Sequence, residues 1–243
     1  MKDHYDKKKH KYNNEEKSID ESHLHIDKDY RGSDLQGKDL HGRDLRDLNL
    51  EKAKLNNANL SGSNLQGVNL SEADLRGANL SDANLKGADL SGANISGAIF
   101  RNAELTGANL SKTNFKDVDF TGTNLSNAIF RGANINGVNF CDVNLSMANF
   151  KNSIMYKINF NGADLSGADF RDSQLYRADF RNSKLNNTNF SRGILVQVDM
   201  TFTDLKSVNF KKASLRGSLI KKAFKKTIQS QKVKDFNLIY WID

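Results

Sequence analysis

The chain has 243 residues, no Pro, one Cys and a formal net charge of +7. The lone Cys141 excludes an intrachain disulfide framework, and no apolar run approaches the roughly 18 residues that a membrane-spanning helix needs. Charge is unevenly placed, with −1 over residues 1–30, +4 over 31–220 and +4 over 221–243, so the central body is close to balanced.

Residues 1–30 form a charged segment with few apolar residues and no hydrophobic stretch of the signal-peptide kind, so disorder and a cytoplasmic location are expected. His23-Leu-His-Ile26 alternates and predicts an irregular first strand over the opening of whatever follows. His23 and His25 have no third or fourth ligand nearby in sequence, so no metal site is predicted.

From Leu35 to Ile220 every fifth residue is Leu, Ile, Phe or Met, 38 times in succession. Neither a helix (period 3.6) nor a flat strand (period 2) produces this beat, whereas a repeat architecture does. With the apolar centre called i, position i−2 is small or β-branched (Ala58, Ala78, Val138, Thr188) and i−1 is mostly Asn or Asp. Positions i and i−2 thus face one way for three residues, as in a strand. Fifteen of the seventeen Gly fall at i+2, which suits a corner in each unit.

Phe100, Phe120, Phe140, Phe160 and Phe180 form one series of period twenty, and Phe130, Phe150, Phe170, Phe190 and Phe210 form a second, offset by ten. Four sides per coil turn these series into stacks on opposite walls. A two-sided coil fits the alternation as well, and a three-sided one scrambles it. Asn at i−1 recurs vertically (Asn94, Asn114, Asn134; Asn139, Asn159), which predicts amide ladders. Units such as Ala-Asn-Leu-Ser-Asp (78–82) and Ala-Asp-Leu-Ser-Gly (88–92) resemble the A(D/N)LXX signature of the pentapeptide repeat family over residues 31–222. That resemblance implies an all-β fold, a right-handed four-sided parallel β-helix, here of about nine to ten coils.

The beat stops after Ile220. Ala223, Phe224, Ile228 and Gln231 share one helical face, and Phe236, Leu238, Ile239, Tyr240 and Trp241 add a dense apolar cluster. Residues 223–243 are expected to form a helical cap over the last coil or, as the resemblance to the family's quinolone-resistance branch implies, an element that joins two rods tail to tail.

No catalytic constellation emerges: His41 is the only His within the repeats, Cys141 falls at an outward position without a neighbouring base, and no phosphate-cradling Gly motif is present. No enzyme activity and no cofactor are expected. Sorted by wall, the outward positions around Leu40 through Leu80 and onward carry Asp39, Asp82, Asp119, Asp142, Asp179 and Asp199, an acidic face. The wall of Leu50 through Phe210 is net basic, with acids interleaved, so direct nucleic-acid binding is not expected. On the wall of Leu35 through Leu215, Ile154, Tyr156, Tyr176, Ile194 and Val196 stand where the motif otherwise supplies Asn, Ser or Gly. An apolar, Tyr-bearing patch on a polar surface marks a partner site. The expected function is a protein-binding or self-associating scaffold acting through this patch or the tail. The alternative, implied by the resemblance, is a DNA-mimicking partner of DNA gyrase that uses the acidic face.

Overall fold

The computed structural model describes residues 29–243. Within them residue n bridges residue n+20 in parallel along most of the chain, from Asp29↔Asn49 to Asp199↔Leu219, so four pentapeptides complete one coil. The first bridge starts at Asp29 and Tyr30 is already buried, which places the opening of the coil just ahead of the first regular unit. The strand predicted over residues 23–26, with His23 and His25, lies outside the described residues.

Each pentapeptide solves its own hydrogen-bonding problem. In the unit centred on Leu60, the Leu60 N–H donates to Asn79 O (2.7 Å) and the Asn59 N–H to Lys38 O (2.9 Å), joining the coils on either side. The Gly62 N–H donates to Ser81 O (2.8 Å), and the Ser63 N–H closes the corner onto Leu60 O (3.2 Å). That leaves the Ser61 N–H, which donates to the Asn59 side-chain Oδ1 at 3.3 Å. The same contact recurs through the rod, for example Ser71 N–H to Asn69, Ser91 N–H to Asp89 and Ser166 N–H to Asp164. Asn or Asp at i−1 is therefore required first by its own corner, because a carbonyl or carboxylate oxygen two residues back is the acceptor for an otherwise orphaned donor. Amide ladders form in addition, at Asn59 to Asp39 (2.9 Å) and Asn159 to Asn139 (2.8 Å).

The corner residue at i+2 takes positive φ whether or not it is Gly: Gly97 stands at +69°, Asn127 at +59° and Asp142 at +58°. The apolar centres are buried without exception from Leu35 to Ile220, and the i−2 positions are buried from Leu48 onward. Where Ser or Thr replaces Ala at i−2, the hydroxyl donates to a main-chain carbonyl, as from Ser173 to Phe170 O (2.6 Å) and from Thr188 to Leu165 O (2.9 Å). No buried side-chain polar atom among the described residues lacks a partner. Gly193 is the exception among glycines in pointing inward: a Cβ there would meet Phe190 O at 3.0 Å and the Leu195 side chain at 3.1 Å.

The two Phe series occupy facing walls. Rings within a series stack, with Phe130–Phe150 and Phe150–Phe170 centroids 4.6 Å apart and within 7° of parallel. Rings of opposite series meet edge to face, as in Phe160–Phe170 at 5.8 Å and 81°. Both are favoured aromatic geometries, worth about 0.5–1.5 kcal/mol per pair beyond the area they bury.

Phe115 belongs to neither series. It stands on the wall whose other centres are Leu, Ile or Met, 5.7 Å from Phe130 and 6.4 Å from Phe120, so three rings crowd one level of the core. Val118 and Val138 add bulk at i−2 beside them. At this level the bridges Asn114↔Asn134 and Asp119↔Asn139 are missing, and a groove of about 620 Å³ opens between the coils, lined by Asn114, Lys116, Asp117, Asn136 and Asn139. The predicted amide ladder through Asn94 and Asn114 accordingly stops before Asn134. Excess core volume pushes backbone apart when side chains cannot yield, and here it separates neighbouring coils. A shorter gap, at Lys184 and Asp204, affects one side only.

The C-terminal segment differs from the helical cap anticipated above. A 3-10 turn (Lys222–Phe224) leads into α1 (Lys225–Gln229), only five residues long, and a second 3-10 turn (Phe236–Leu238) precedes a strand at Tyr240–Ile242. That final strand pairs in parallel with Leu219–Lys221, register Leu219↔Tyr240, so the last circuit contains 21 residues instead of twenty. Ala223 is exposed and is not on a buried helical face; Ile228 and Ile239 are the tail's buried anchors. Gln231 completes the ladder with its side chain: Nε2 donates to Val208 O (3.0 Å) and Oε1 accepts from the Phe210 N–H (2.5 Å).

Two outcomes test these packing arguments. Native-state hydrogen exchange is expected to be at least about tenfold faster at Phe115, Asp117, Phe120 and Asn139 than at the equivalent amides near Leu55 and Leu60, and Phe115→Leu is expected to slow it; equal protection in the wild type would contradict the crowding account. Gln231→Leu is expected to lower stability by about 1–3 kcal/mol in thermal or urea unfolding, because it strands one buried donor and one acceptor. Gln231→Glu, which still accepts from Phe210, should lose less.

Candidate interaction surface

Most units are too short-sided to form more than an isolated bridge, but one wall contains three-residue strands: β1 (Ile154–Tyr156), β2 (Gln174–Tyr176) and β3 (Ile194–Val196). They pair in parallel and in register, with Tyr156 opposite Tyr176 and Tyr176 opposite Val196, and Ile154, Gln174 and Ile194 aligned at the other end. β-Branched and aromatic residues at the outward positions favour extended backbone and pack against cross-strand neighbours. The same substitutions therefore lengthen the strands and create the patch.

Ile154 is 44% exposed, Tyr156 42% and Ile194 40%, while Tyr176 and Val196 are half-buried by their neighbours. The structure thus brings all five predicted patch residues onto one face. Cations frame it: Lys157 Nζ lies 5.4 Å from the Tyr156 ring centroid, and Arg177 donates to Tyr156 Oη (3.4 Å) and to Gln197 Oε1 (2.9 Å). A groove of about 380 Å³ continues the patch from Val196 past Arg216 to Leu238 and Tyr240 of the tail.

The predicted tail residues divide into two groups. Ile228 is fully buried, Phe224 and Phe236 are half-buried against the core, and the Phe236 and Trp241 rings touch at 5.3 Å with Lys225 Nζ 5.8 Å from the Trp241 centroid. Tyr240 is 64% exposed and lies outside that cluster, on the patch side of the rod.

The acidic face is not a continuous stripe. Asp39, Asp119, Asp179 and Asp199 share the i−1 column, but Asn59, Asn79, Ile99, Asn139 and Asn159 separate them; Asp82 and Asp142 stand at corners. Asp119 is paired with Arg101 (2.5 Å), and Asp179 (2.7 Å) and Asp199 (4.0 Å) with Arg181. Partial burial opposes ionisation of Asp179, yet the Arg181 guanidinium and backbone N–H outweigh it and hold the carboxyl below its usual range.

Pairing of this kind recurs along the rod. An Arg at i+1 clamps the Asp two residues before it at Asp44/Arg46, Asp74/Arg76 and Asp169/Arg171, while Asp172/Arg192 and Asp164/Lys184 pair between coils. The i−1/i+1 clamp escaped the sequence reading, although its signal, Asp-Leu-Arg or Asp-Phe-Arg, is visible in the repeats.

Cys141 stands at the outward i+1 position as expected but is half-buried there, and burial together with neighbouring Asp142 pushes its thiol pKa up, away from the reactive thiolate. His41 Nδ1 lies 3.0 Å from Ser61 Oγ on an exposed face. Among the described residues no group of His, Cys, Asp and Glu is arranged to hold a metal ion, and no helix is long and apolar enough to cross a membrane.

The family model described as pentapeptide repeats matches in eight overlapping copies from residue 31 to residue 220. A pentapeptide repeat protein of the Arabidopsis thaliana thylakoid lumen is 40% identical over 42% of this chain and 71% of its own, with a TM-score of 0.41. HetL, a pentapeptide repeat protein involved in heterocyst differentiation regulation in Nostoc, is 26% identical over 76% of this chain and 88% of its own (TM-score 0.31). QnrB1, a plasmid-mediated fluoroquinolone resistance protein, is 17% identical over 90% of this chain and 87% of its own (TM-score 0.44). No curated protein matches. With twenty residues per coil and the A(D/N)LXX units matched from 31 to 220, the chain belongs to the pentapeptide repeat family, whose fold is a right-handed parallel β-helix.

Proposed function

We infer that this protein is a non-enzymatic interaction scaffold, a rod of about nine to ten coils closed by its own tail, whose partner-binding face is the β1–β3 wall. One observation carries this reading: outward Ile154, Tyr156, Tyr176, Ile194 and Val196 form a single in-register apolar surface, whereas the other walls expose large apolar residues only singly, as at Ile99, Ile129, Met147 and Phe202. Tyr is enriched among residues that dominate binding energy, since it joins large apolar area to a polar tip at low entropic cost. Arg177 and Lys157 add a polar rim of the kind that surrounds such anchors. The partner is a protein, and a second copy of this chain is the simplest one. Exposed Leu238 and Tyr240 extend the face, whereas Phe236, Trp241, Ile228 and Ile239 are engaged within the chain, which supports the tail as a cap.

The gyrase alternative rests on the acidic column, and its interruption by Asn and pairing with Arg101 and Arg181 make it a poor imitation of a phosphate backbone.

Light scattering is expected to give a mass above that of one chain for the wild type and a reduced mass for Tyr156→Ser/Tyr176→Ser; a wild type that runs as a single chain would leave a different protein as the partner. If the double variant also retains every partner captured by the wild type, the wall is not the binding face. In a gyrase supercoiling assay, with and without a fluoroquinolone, neither inhibition nor protection is expected, and either effect would favour the acidic column instead.

A further inference from the structure

Along the walls charge is balanced, with 19 Lys/Arg against 19 Asp/Glu over residues 31–204 and many of them paired, but this balance ends abruptly. Residues 205–234 contain nine Lys and one Arg and no Asp or Glu. Of these ten cations, Lys206 reaches Asp204 at 3.9 Å and Lys222 reaches Asp243 at 3.8 Å, while Lys211, Lys212 and Lys232 have no ion-pair partner among the described residues. Lys206, Lys211, Lys212 and Lys232 converge on one groove of about 580 Å³ between the last coil and the tail, together with the polar side chains of Asn209 and Ser230.

A second feature stands at the same end. Phe202 occupies a corner position where the repeats mostly place Gly, Asn or Asp, with φ +61°, and is 68% exposed. A bulky residue in the left-handed region is unfavourable, and nothing in the core recovers that cost, since the ring lies in solvent. Lys221 Nζ sits 5.3 Å from its centroid. The Phe202 corner is one side of the coil before the Lys206 corner.

We propose that the C-terminal end of the rod is a binding surface for single-stranded nucleic acid, with the lysine groove taking the phosphate backbone and Phe202 offering a face for a base. Lysines free of carboxylates exchange condensed counterions for phosphates, which is the main source of sequence-independent affinity. Proteins that hold single strands without reading sequence combine a cationic groove with exposed aromatic faces on which bases stack; here the exposed face, Phe202, stands outside the groove, one corner of the coil before Lys206. A concave groove suits a chain of phosphates better than a flat lipid surface, and the exposed ring adds a contact that an acidic polypeptide does not exploit. The low affinity expected from the walls still applies there, because interleaved carboxylates neutralise their cations. This surface is separate from the β1–β3 wall and does not depend on it.

The test is fluorescence polarisation with a labelled oligothymidylate of about 20 nucleotides and the full chain, across salt from about 50 to 200 mM. Binding is expected to weaken steeply with salt. Lys211→Gln/Lys212→Gln/Lys232→Gln should reduce affinity by about tenfold or more at low salt and flatten the slope of log Kobs against log salt by about 2, at roughly 0.7 per phosphate contact. Phe202→Ser should weaken binding while leaving that slope unchanged. Lys54→Gln/Lys86→Gln/Lys184→Gln makes the same change in net charge at ion-paired wall positions and should bind as the wild type does. No binding at 50 mM salt overturns the proposal, as does equal weakening by both triple variants. Preference for phosphatidylserine vesicles or polyglutamate over the oligonucleotide, lost in the groove variant, overturns it in favour of a membrane or an acidic protein.

Discussion

The structure depends on one constraint: a corner every five residues at which every backbone N–H must still find an acceptor. Four of the five donors in a unit are met by neighbouring coils or by the turn itself, and the fifth by the Asn or Asp side chain at i−1, as Asn59 does for Ser61. Once that corner closes, geometry dictates the rest. Only i and i−2 can point inward, i−2 is mostly small or β-branched, and i+2 takes positive φ at nearly every corner. The hydrophobic core is then a set of four columns, and aromatic rings placed twenty apart stack because successive coils bring them to 4.6–5.7 Å.

The same regularity makes departures costly and therefore informative. Phe115, off both aromatic series, crowds its level and separates two coils. Ile154 and Tyr156 occupy outward positions, and the result is a sheet of regular strands with an apolar outer face. Phe202 takes a glycine-like corner and remains in solvent. In a rod whose units are otherwise interchangeable, each of these residues changes the surface or the pairing only at its own level, so structure and recognition can vary independently along the length.

Electrostatics follows a similar local logic. The clamp between Asp at i−1 and Arg at i+1 arises because these two outward positions of one short side lie close together, as in Asp44/Arg46 and Asp169/Arg171. Each such pair lies at the surface, with its Asp exposed or half-buried, and surface pairs of this kind add little stability, about 0–1 kcal/mol. Its larger effect is on the surface field, which it cancels over the walls. Where the Asp-for-Arg alternation stops, after Asp204, the field reappears, and the last coil and tail carry it alone.

The coil, its inward residues, the paired Phe columns and the five patch residues were legible in the sequence because each is a strict periodicity, and periodicity survives without knowledge of distant contacts. Family membership followed from the same units. The tail was legible only as apolar: its local pattern predicts a helix, but an exposed sheet end offers unpaired backbone groups, and Tyr240–Ile242 satisfies them as a strand while Gln231 does so with its side chain. The predicted cluster of five apolar residues split for the same reason, with Ile239 turned into the core and Tyr240 turned out. Nor could the sequence show that Phe115 overfills its level, that Cys141 is half-buried, or that four lysines from the last coil and the tail share one groove. Those properties depend on which coils touch and how closely, a matter of volume and edge pairing in three dimensions. The five-residue beat determines the coil, and tertiary packing decides where that coil opens, how it ends and which charges are left without partners.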